Sequence, residues 1–170
     1  IGWGYIVSAF IYLLCRNSIL KTAAFAFFFL AINILSALKL LEFLNPAKPL
    51  LGIIIEGNVP FIVLSGVIGG LIFKNSMEYG PKMIIQNLFI TGVICMGGGL
   101  ILRNWFILSK IQATPSWGLV CSGISFLVFT IIYIITDVFR KKAWASFFKP
   151  AGENSLTTYL APDILYHLIW

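Results

Sequence analysis

The stretch "GENSLTTYLAPDILYHLIW" sets the chain's single histidine beside an aspartate and two tyrosines, side chains that could move a proton. Tyr159, Asp163, Tyr166 and His167 fall at i, i+4, i+7 and i+8, which puts them on one face of a helix. Asp163 and His167 are close enough at this spacing to meet side by side. The carboxylate would then orient the imidazole, and His167 would act as general base or proton relay. In the plainer reading Asp163 binds a Lys, an Arg or a water held by another helix, and His167 is a polar marker at the far interface. Gly152-Glu153-Asn154-Ser155 reads as a helix start with Asn154 or Ser155 as N-cap. Asp163 would then sit about 12 Å along the helix, a depth at which a carboxylate faces a cavity, a partner or an ion. Asn154, Thr157 and Thr158 share an adjacent face near the positive end of the helix dipole, where phosphate or carbonyl oxygens can bind. Capping and interhelical hydrogen bonds explain them equally well.

A second polar island, "KIQATPSW", lies between two apolar runs. Thr114 as N-cap and Pro115 in the first turn read as helix initiation, with Trp117 as an interfacial anchor. That leaves Lys110 and Gln112 unexplained. Lys110, Thr114, Ser116 and Trp117, together with Tyr159, are candidates for one wall of a substrate site. Glu56, in "EGNVP", stands beside a helix start, where it can bind a substrate hydroxyl or a cation or remain a solvated loop acid. Asn33 and Gln86-Asn87 are polar groups in apolar runs, for which interhelical hydrogen bonds suffice.

The elements that must position these groups are membrane helices. The 170 residues are 59% hydrophobic and 11% charged, against about a quarter charged in a soluble domain. Mean hydropathy is +0.96. The long uncharged runs do not alternate as β-barrel strands would, and helix is the open-ended structure that satisfies its own backbone in lipid. The expected fold is all-α, a polytopic bundle forming one transmembrane domain over 1–170. Six spans are expected, over about 1–15, 22–44, 59–73, 83–102, 117–136 and from about 153 onward. The third looks short unless "LLGIIIEGN" also enters the membrane. The first run lacks the basic n-region and cleavage site of a signal peptide, and both edges of the chain read as cuts in a longer protein.

The net charge of +6 does not suggest nucleic acid, because the basic residues are scattered at the ends of apolar runs. Connections after the first, third and fifth runs carry eight of them and the alternate connections four. This bias, with "RKK" as its strongest marker, puts "KIQATPSW" outside. Cys15, Cys95 and Cys121 lie within apolar runs without metal spacing and are expected to be buried, with no metal bound. Gly66 and Gly70 form a GxxxG pair, and Gly118, Ser122 and Ser125 a second small-residue seam, both expected to pack helices. Gly97-Gly98-Gly99 is expected to mark a bend or a close approach.

Three blocks resemble a known family. "KIQATPSWGLVCSGISFLVFTIIYIITDV" resembles the Lys-x-x-x-Thr-Pro-Ser-aromatic segment of the heparan-α-glucosaminide N-acetyltransferase family and its uncharacterised bacterial relatives. "GENSLTTYL" is similar to that family's G-x-N-[SA]-L-T-x-Y block, and "IGWGYIVSAFIYLL" to its R-I-G-x-[AG]-Y helix. The three span most of the chain in the family's order. Gln112-Ala113 departs from it, since the family tends to have a bulky residue before Thr-Pro. The resemblance implies a multi-pass acyltransferase of the bacterial inner membrane. It would use acetyl-CoA from the cytoplasmic side as co-substrate and acetylate a sugar-like acceptor on the other side. It also places the family's catalytic histidine in an N-terminal half outside this chain, so that role does not pass to His167. Asp163, Tyr159, Thr158 and Asn154 would trace a polar channel. The lipid bilayer is the expected partner, and a homodimer stays open. The competing classes are a solute or proton-coupled transporter, with Asp163 and His167 as relay, and a structural bundle.

Overall fold

The computed structural model describes residues 2–42, 52, 54, 56–154, 161, 162, 165, 166 and 168, which fall in two compact units, Ile1–Ile131 and Ile132–Trp170. No strand occurs among the described residues. In the first unit α1 is Gly2–Cys15 and α2 is Ile19–Ala37. Helix α3 is Asn58–Ser76, extended by a 3-10 turn at Met77–Tyr79. Helix α4 is Pro81–Leu102, and α5, Pro115–Tyr133, carries the chain into the second unit. Four stretches are long and apolar enough to cross a membrane: Ile19–Ala37, Asn58–Tyr79, Pro81–Leu102 and Pro115–Val138. This is the architecture of a multi-pass integral membrane protein. Helix α1, at 14 residues, reaches about 21 Å and falls short of a hydrocarbon layer of about 30 Å.

Local chemistry sets the boundaries. Arg16 and Asn17 adopt left-handed backbone (φ 46° and 64°) in the turn between α1 and α2, and the Asn17 side chain accepts a 2.6 Å hydrogen bond from the Tyr12 hydroxyl. Ser18 then caps α2, its hydroxyl accepting from the Lys21 amide at 3.4 Å. Hydropathy alone carries the second run to residue 44, but α2 stops at Ala37. There Lys39 turns left-handed (φ 61°), its amide bonds Ser36 O, and the Leu40 amide reaches back to Leu35 O. This is a Schellman stop that a hydropathy profile cannot register. The third run is longer than expected, because Lys74, Asn75 and Ser76 stay helical. Pro81 opens α4 in the position where its missing N–H costs nothing.

In lipid, helices associate mainly through close packing of small residues, and the contacts reveal the topology. Helices α4 and α5 run antiparallel with backbones in contact. A β-carbon on Gly123 would fall 2.5 Å from the Met96 nitrogen, one on Gly99 would fall 2.8 Å from the Val120 nitrogen, and Gly92 lies against Leu127. The triple glycine therefore marks a close approach through Gly99 alone. Gly97 has nothing near it, and α4 stays helical throughout. Helices α3 and α5 run parallel, pairing Asn58 with Gly118, Ser65 with Ser122, Gly69 with Phe126 and Phe73 with Phe129. The expected GxxxG seam is corrected by one residue. Gly69 packs on Phe126, while Gly66 and Gly70 meet nothing within 4 Å. Ile11, Cys15, Ala26, Phe29, Leu30, Phe61 and Leu64 fill the core where α1, α2 and α3 meet. Cys15 is buried as expected, whereas Cys95 and Cys121 are half-buried.

In the second unit the helix continues from α5 as a π-turn at Ile134–Val138, followed by a 3-10 turn at Ala143–Phe147 and by α6, Lys149–Glu153. Asn154 is the C-cap of α6, its side-chain amide donating to Pro150 O at 3.1 Å, and the residues of the helix expected to start there, 155–160, lie outside the described residues. Pro150 stands in the first turn of α6. Ala161, Pro162, Leu165, Tyr166 and Leu168 are helical.

Gly123→Val forces a side chain into the Met96 backbone and is expected to destabilise the protein by about 1–3 kcal/mol, read as a lower Tm in detergent. Gly97→Ala, in open space, is expected to raise helix stability by about 1 kcal/mol at most. Equal Tm values for the two variants would contradict the backbone crossing.

Candidate functional site

Antiparallel α2 and α3, parallel α3 and α5, and α4 returning between them bring one set of ends together. The end of α2, the starts of α3 and α5, and the 103–114 segment after α4 share one boundary of the first unit. Two asparagines knot them. Asn33 Nδ2, from α2, donates to Glu56 O and, at 3.0 Å, to Ala113 O. Asn58 Nδ2, from the first turn of α3, donates to Ala113 O at 3.0 Å and to Thr114 O at 3.1 Å. Ala113 presents its carbonyl from a left-handed conformation (φ 49°). Gly57 (φ 69°) lets the start of α3 lie against the Phe29 carbonyl, where a β-carbon would have no room. Asn33 is 4% exposed, and its Oδ1 has no hydrogen-bond donor among the described residues.

The 103–114 segment is also tied to itself. The Thr114 hydroxyl accepts from the Ser109 amide at 3.2 Å and donates to Ser109 O at 3.3 Å. Ser109 Oγ accepts from the Gln112 amide at 3.2 Å. Ser116 Oγ lies 2.9 Å from Phe106 O, 3.2 Å from Ile107 O and 3.3 Å from Thr114 Oγ1. Helix α5 does begin at Pro115, as the sequence implies. The Thr114 hydroxyl serves the segment before it, however, rather than the amides of the helix it precedes.

Of the residues expected to bind substrate, Thr114 and Ser116 are buried, their hydroxyls engaged by backbone. Lys110 is exposed on the tied segment and Trp117 is half-buried at the start of α5. Thr114 and Ser116 thus shape the wall, and Lys110 is the group that projects from it. Glu56 is exposed beside the knot. Asp163, His167, Tyr159, Thr157 and Thr158 lie outside the described residues, and Asn154 sits at the end of α6. Asn33 makes the interhelical bonds its polarity implied. Asn87 does so too, donating to Ser76 Oγ at 3.0 Å, whereas Gln86 is exposed. Sequence reasoning does not single out Asn58 or Ser109. For Asn58 the available signal is an amide in the first turn of an apolar run directly after glycine.

Below the knot, α3 and α5 diverge around an open groove of about 430 Å³, lined by Ile62, Gly66, Gly70, Phe73, Cys121 and Phe129 among others. On its floor the Ser65 and Ser122 hydroxyls pair at 2.9 Å. A smaller cavity of about 290 Å³ at the opposite end of α3 and α4 is lined by Asn75, Ser76, Tyr79, Asn87 and Thr91 with apolar neighbours. Among the described residues no group of His, Cys, Asp and Glu is arranged to hold a metal ion.

Comparison with protein-family models, curated proteins and solved structures found no match to this chain. The class that the architecture defines is a polytopic helical membrane protein with a rigid polar knot at one boundary.

Asn58→Leu removes one donor from the Ala113 and Thr114 carbonyls, which keep Asn33 Nδ2 and the Gly118 amide, an expected cost of about 0.5–1.5 kcal/mol. Hydrogen exchange across residues 103–114 should accelerate by roughly 2- to 10-fold. Gln112→Ala, which changes only an exposed side chain, should leave exchange there unaltered.

Proposed function

We propose that this chain is part of a membrane-embedded acyltransferase of the inner membrane. It moves an acetyl group from cytoplasmic acetyl-CoA to a carbohydrate-like amine or hydroxyl on the outer side. The observation that carries this reading is the "KIQATPSW" segment. It bears a likeness to the acetyltransferase family, and among the described residues of the first unit it is also the connection held by side chains from two other helices. A wall that orients an acceptor must be held in place, because positioning supplies much of the rate of group transfer.

The chemistry assigns roles by residue type. The acetyl carbon leaves the thioester sulfur and bonds to the acceptor nitrogen or oxygen, the acceptor proton passes to a base, and the CoA thiolate departs. Lys110 and Trp117 bind the acceptor, with Thr114 and Ser116 holding the wall in shape. Asp163 and His167 serve the proton, the catalytic histidine proper lying in a further N-terminal portion of the enzyme. Asn154, Thr157 and Thr158 face the thioester. The full bundle then has six spans in this part, with the 103–114 segment outside, and a homodimer is compatible with the open Gly66–Gly70 face.

The test uses the complete protein in nanodiscs with radiolabelled acetyl-CoA and glucosamine as probe acceptor. Labelled N-acetyl product is expected. Asp163→Asn should lower turnover at least tenfold while thioester binding stays within a factor of two, the signature of an interaction made in the transition state. Movement of solute into proteoliposomes with no thioester consumed would overturn the reading in favour of a transporter.

A further inference from the structure

The second unit carries a feature that acyl transfer does not use. After the fourth membrane-length stretch among the described residues ends at Val138, the helix is closed abruptly. The Phe139 amide bonds Ile134 O at 2.9 Å, the Lys141 amide reaches back to Ile135 O at 3.0 Å, and Arg140 between them is left-handed (φ 54°). A non-glycine residue in that conformation costs about 1–2 kcal/mol, so the turn is imposed at a place where glycine would be easier. It stops the apolar rod, and the chain continues as two short helical turns, Ala143–Phe147 and Lys149–Glu153.

This segment has a distinctive composition. Arg140, Lys141, Lys142 and Lys149 lie within ten residues that contain no acid. Lys149 pairs with Glu153 at 3.7 Å. Arg140, Lys141 and Lys142 are exposed and have no ion pair among the described residues. Between these cations stand Trp144, Phe147 and Phe148, locked edge to face with ring centroids 6.1 Å (Trp144–Phe148) and 5.2 Å (Phe147–Phe148) apart. Phe147 is 82% exposed. Aromatic rings favour the headgroup level of a bilayer, and unpaired cations beside a membrane helix attract anionic headgroups, falling off within a Debye length.

We infer that Arg140–Lys149 is a binding strap for anionic phospholipid headgroups, with Arg140, Lys141 and Lys142 contacting phosphate and Trp144, Phe147 and Phe148 seating the strap at the interface. Charge complementarity identifies the occupant. A positive, aromatic-flanked surface at the mouth of a membrane helix fits the phosphate layer that adjoins it.

The test compares the full chain in phosphatidylcholine nanodiscs with the same discs containing phosphatidylglycerol. It reads the Tm, and it reads phosphatidylglycerol retention by native mass spectrometry. The anionic lipid is expected to raise the wild-type Tm, and molar salt to abolish the rise. Arg140→Gln/Lys141→Gln/Lys142→Gln should keep its Tm in phosphatidylcholine and lose the rise. Retention should weaken on the order of 100-fold, about fivefold per charge. Lys74→Gln/Lys82→Gln should keep the rise, and Phe147→Ala should lower Tm in both lipids alike. A wild-type Tm that is equal in the two lipids, or that rises equally in molar salt, overturns the proposal. So does a rise that persists in the triple variant. If that variant does not fold in phosphatidylcholine, the wild-type lipid and salt comparison decides alone.

Discussion

A carbonyl or amide in hydrocarbon has no water to turn to, and leaving one unpaired costs several kcal/mol. Within the spans this chain meets the constraint in the simplest way, by remaining helical. Side-chain hydroxyls do the same. Ser8 donates to Gly4 O at 2.8 Å, Thr91 to Asn87 O at 2.7 Å and Thr130 to Phe126 O at 2.8 Å, each one turn back along its own helix. The constraint becomes demanding at residues 103–114, where helix gives way to turns beside the starts of α3 and α5. There the Ser109 and Lys110 carbonyls are served from within the segment, while Asn33 and Asn58 reach in from two other helices to the carbonyls of Ala113 and Thr114.

That arrangement links packing to geometry. Two side-chain amides fix where Ala113 and Thr114 stand, the Thr114 and Ser116 hydroxyls draw the segment tight, and Lys110 is thereby displayed from a rigid support. The support depends in turn on close helix crossings. Gly123 and Gly99 bring α4 and α5 into backbone contact, and Gly57 brings the start of α3 onto α2. Bulk at any of the three would move the asparagines away from their acceptors. Helix packing and the polar knot are one system.

In the second unit the helix ends, as α1 and α2 do, at a left-handed residue that is not glycine, and over Arg140–Lys149 basic and aromatic side chains replace the apolar runs. Water, headgroup and hydrocarbon succeed one another over a few ångströms at a membrane surface, and a segment carrying cations and indole or phenyl rings together matches that gradient.

The amino-acid sequence by itself determined the solvent and the element type. Long uncharged runs mean lipid, lipid means helix, and Pro81 and Pro115 mark where two helices begin. It also pointed to Asn33, Gln86 and Asn87 as groups for which bonds to neighbouring elements suffice, which Asn33 and Asn87 make while Gln86 is exposed. Only the tertiary structure decided where α2 stops, since Lys39 closes a run whose hydropathy continues. It likewise decided which glycines touch a neighbour, and that Asn58 adds a donor from another helix to the Thr114 carbonyl beside the in-helix Gly118 amide. The reason is rotational. A helix that is apolar all round presents the same hydropathy on every face, so spacing shows that Gly66, Gly69 and Gly70 are small but not which one faces α5. That choice is made by the shapes of the neighbouring helices, which no single run of residues contains.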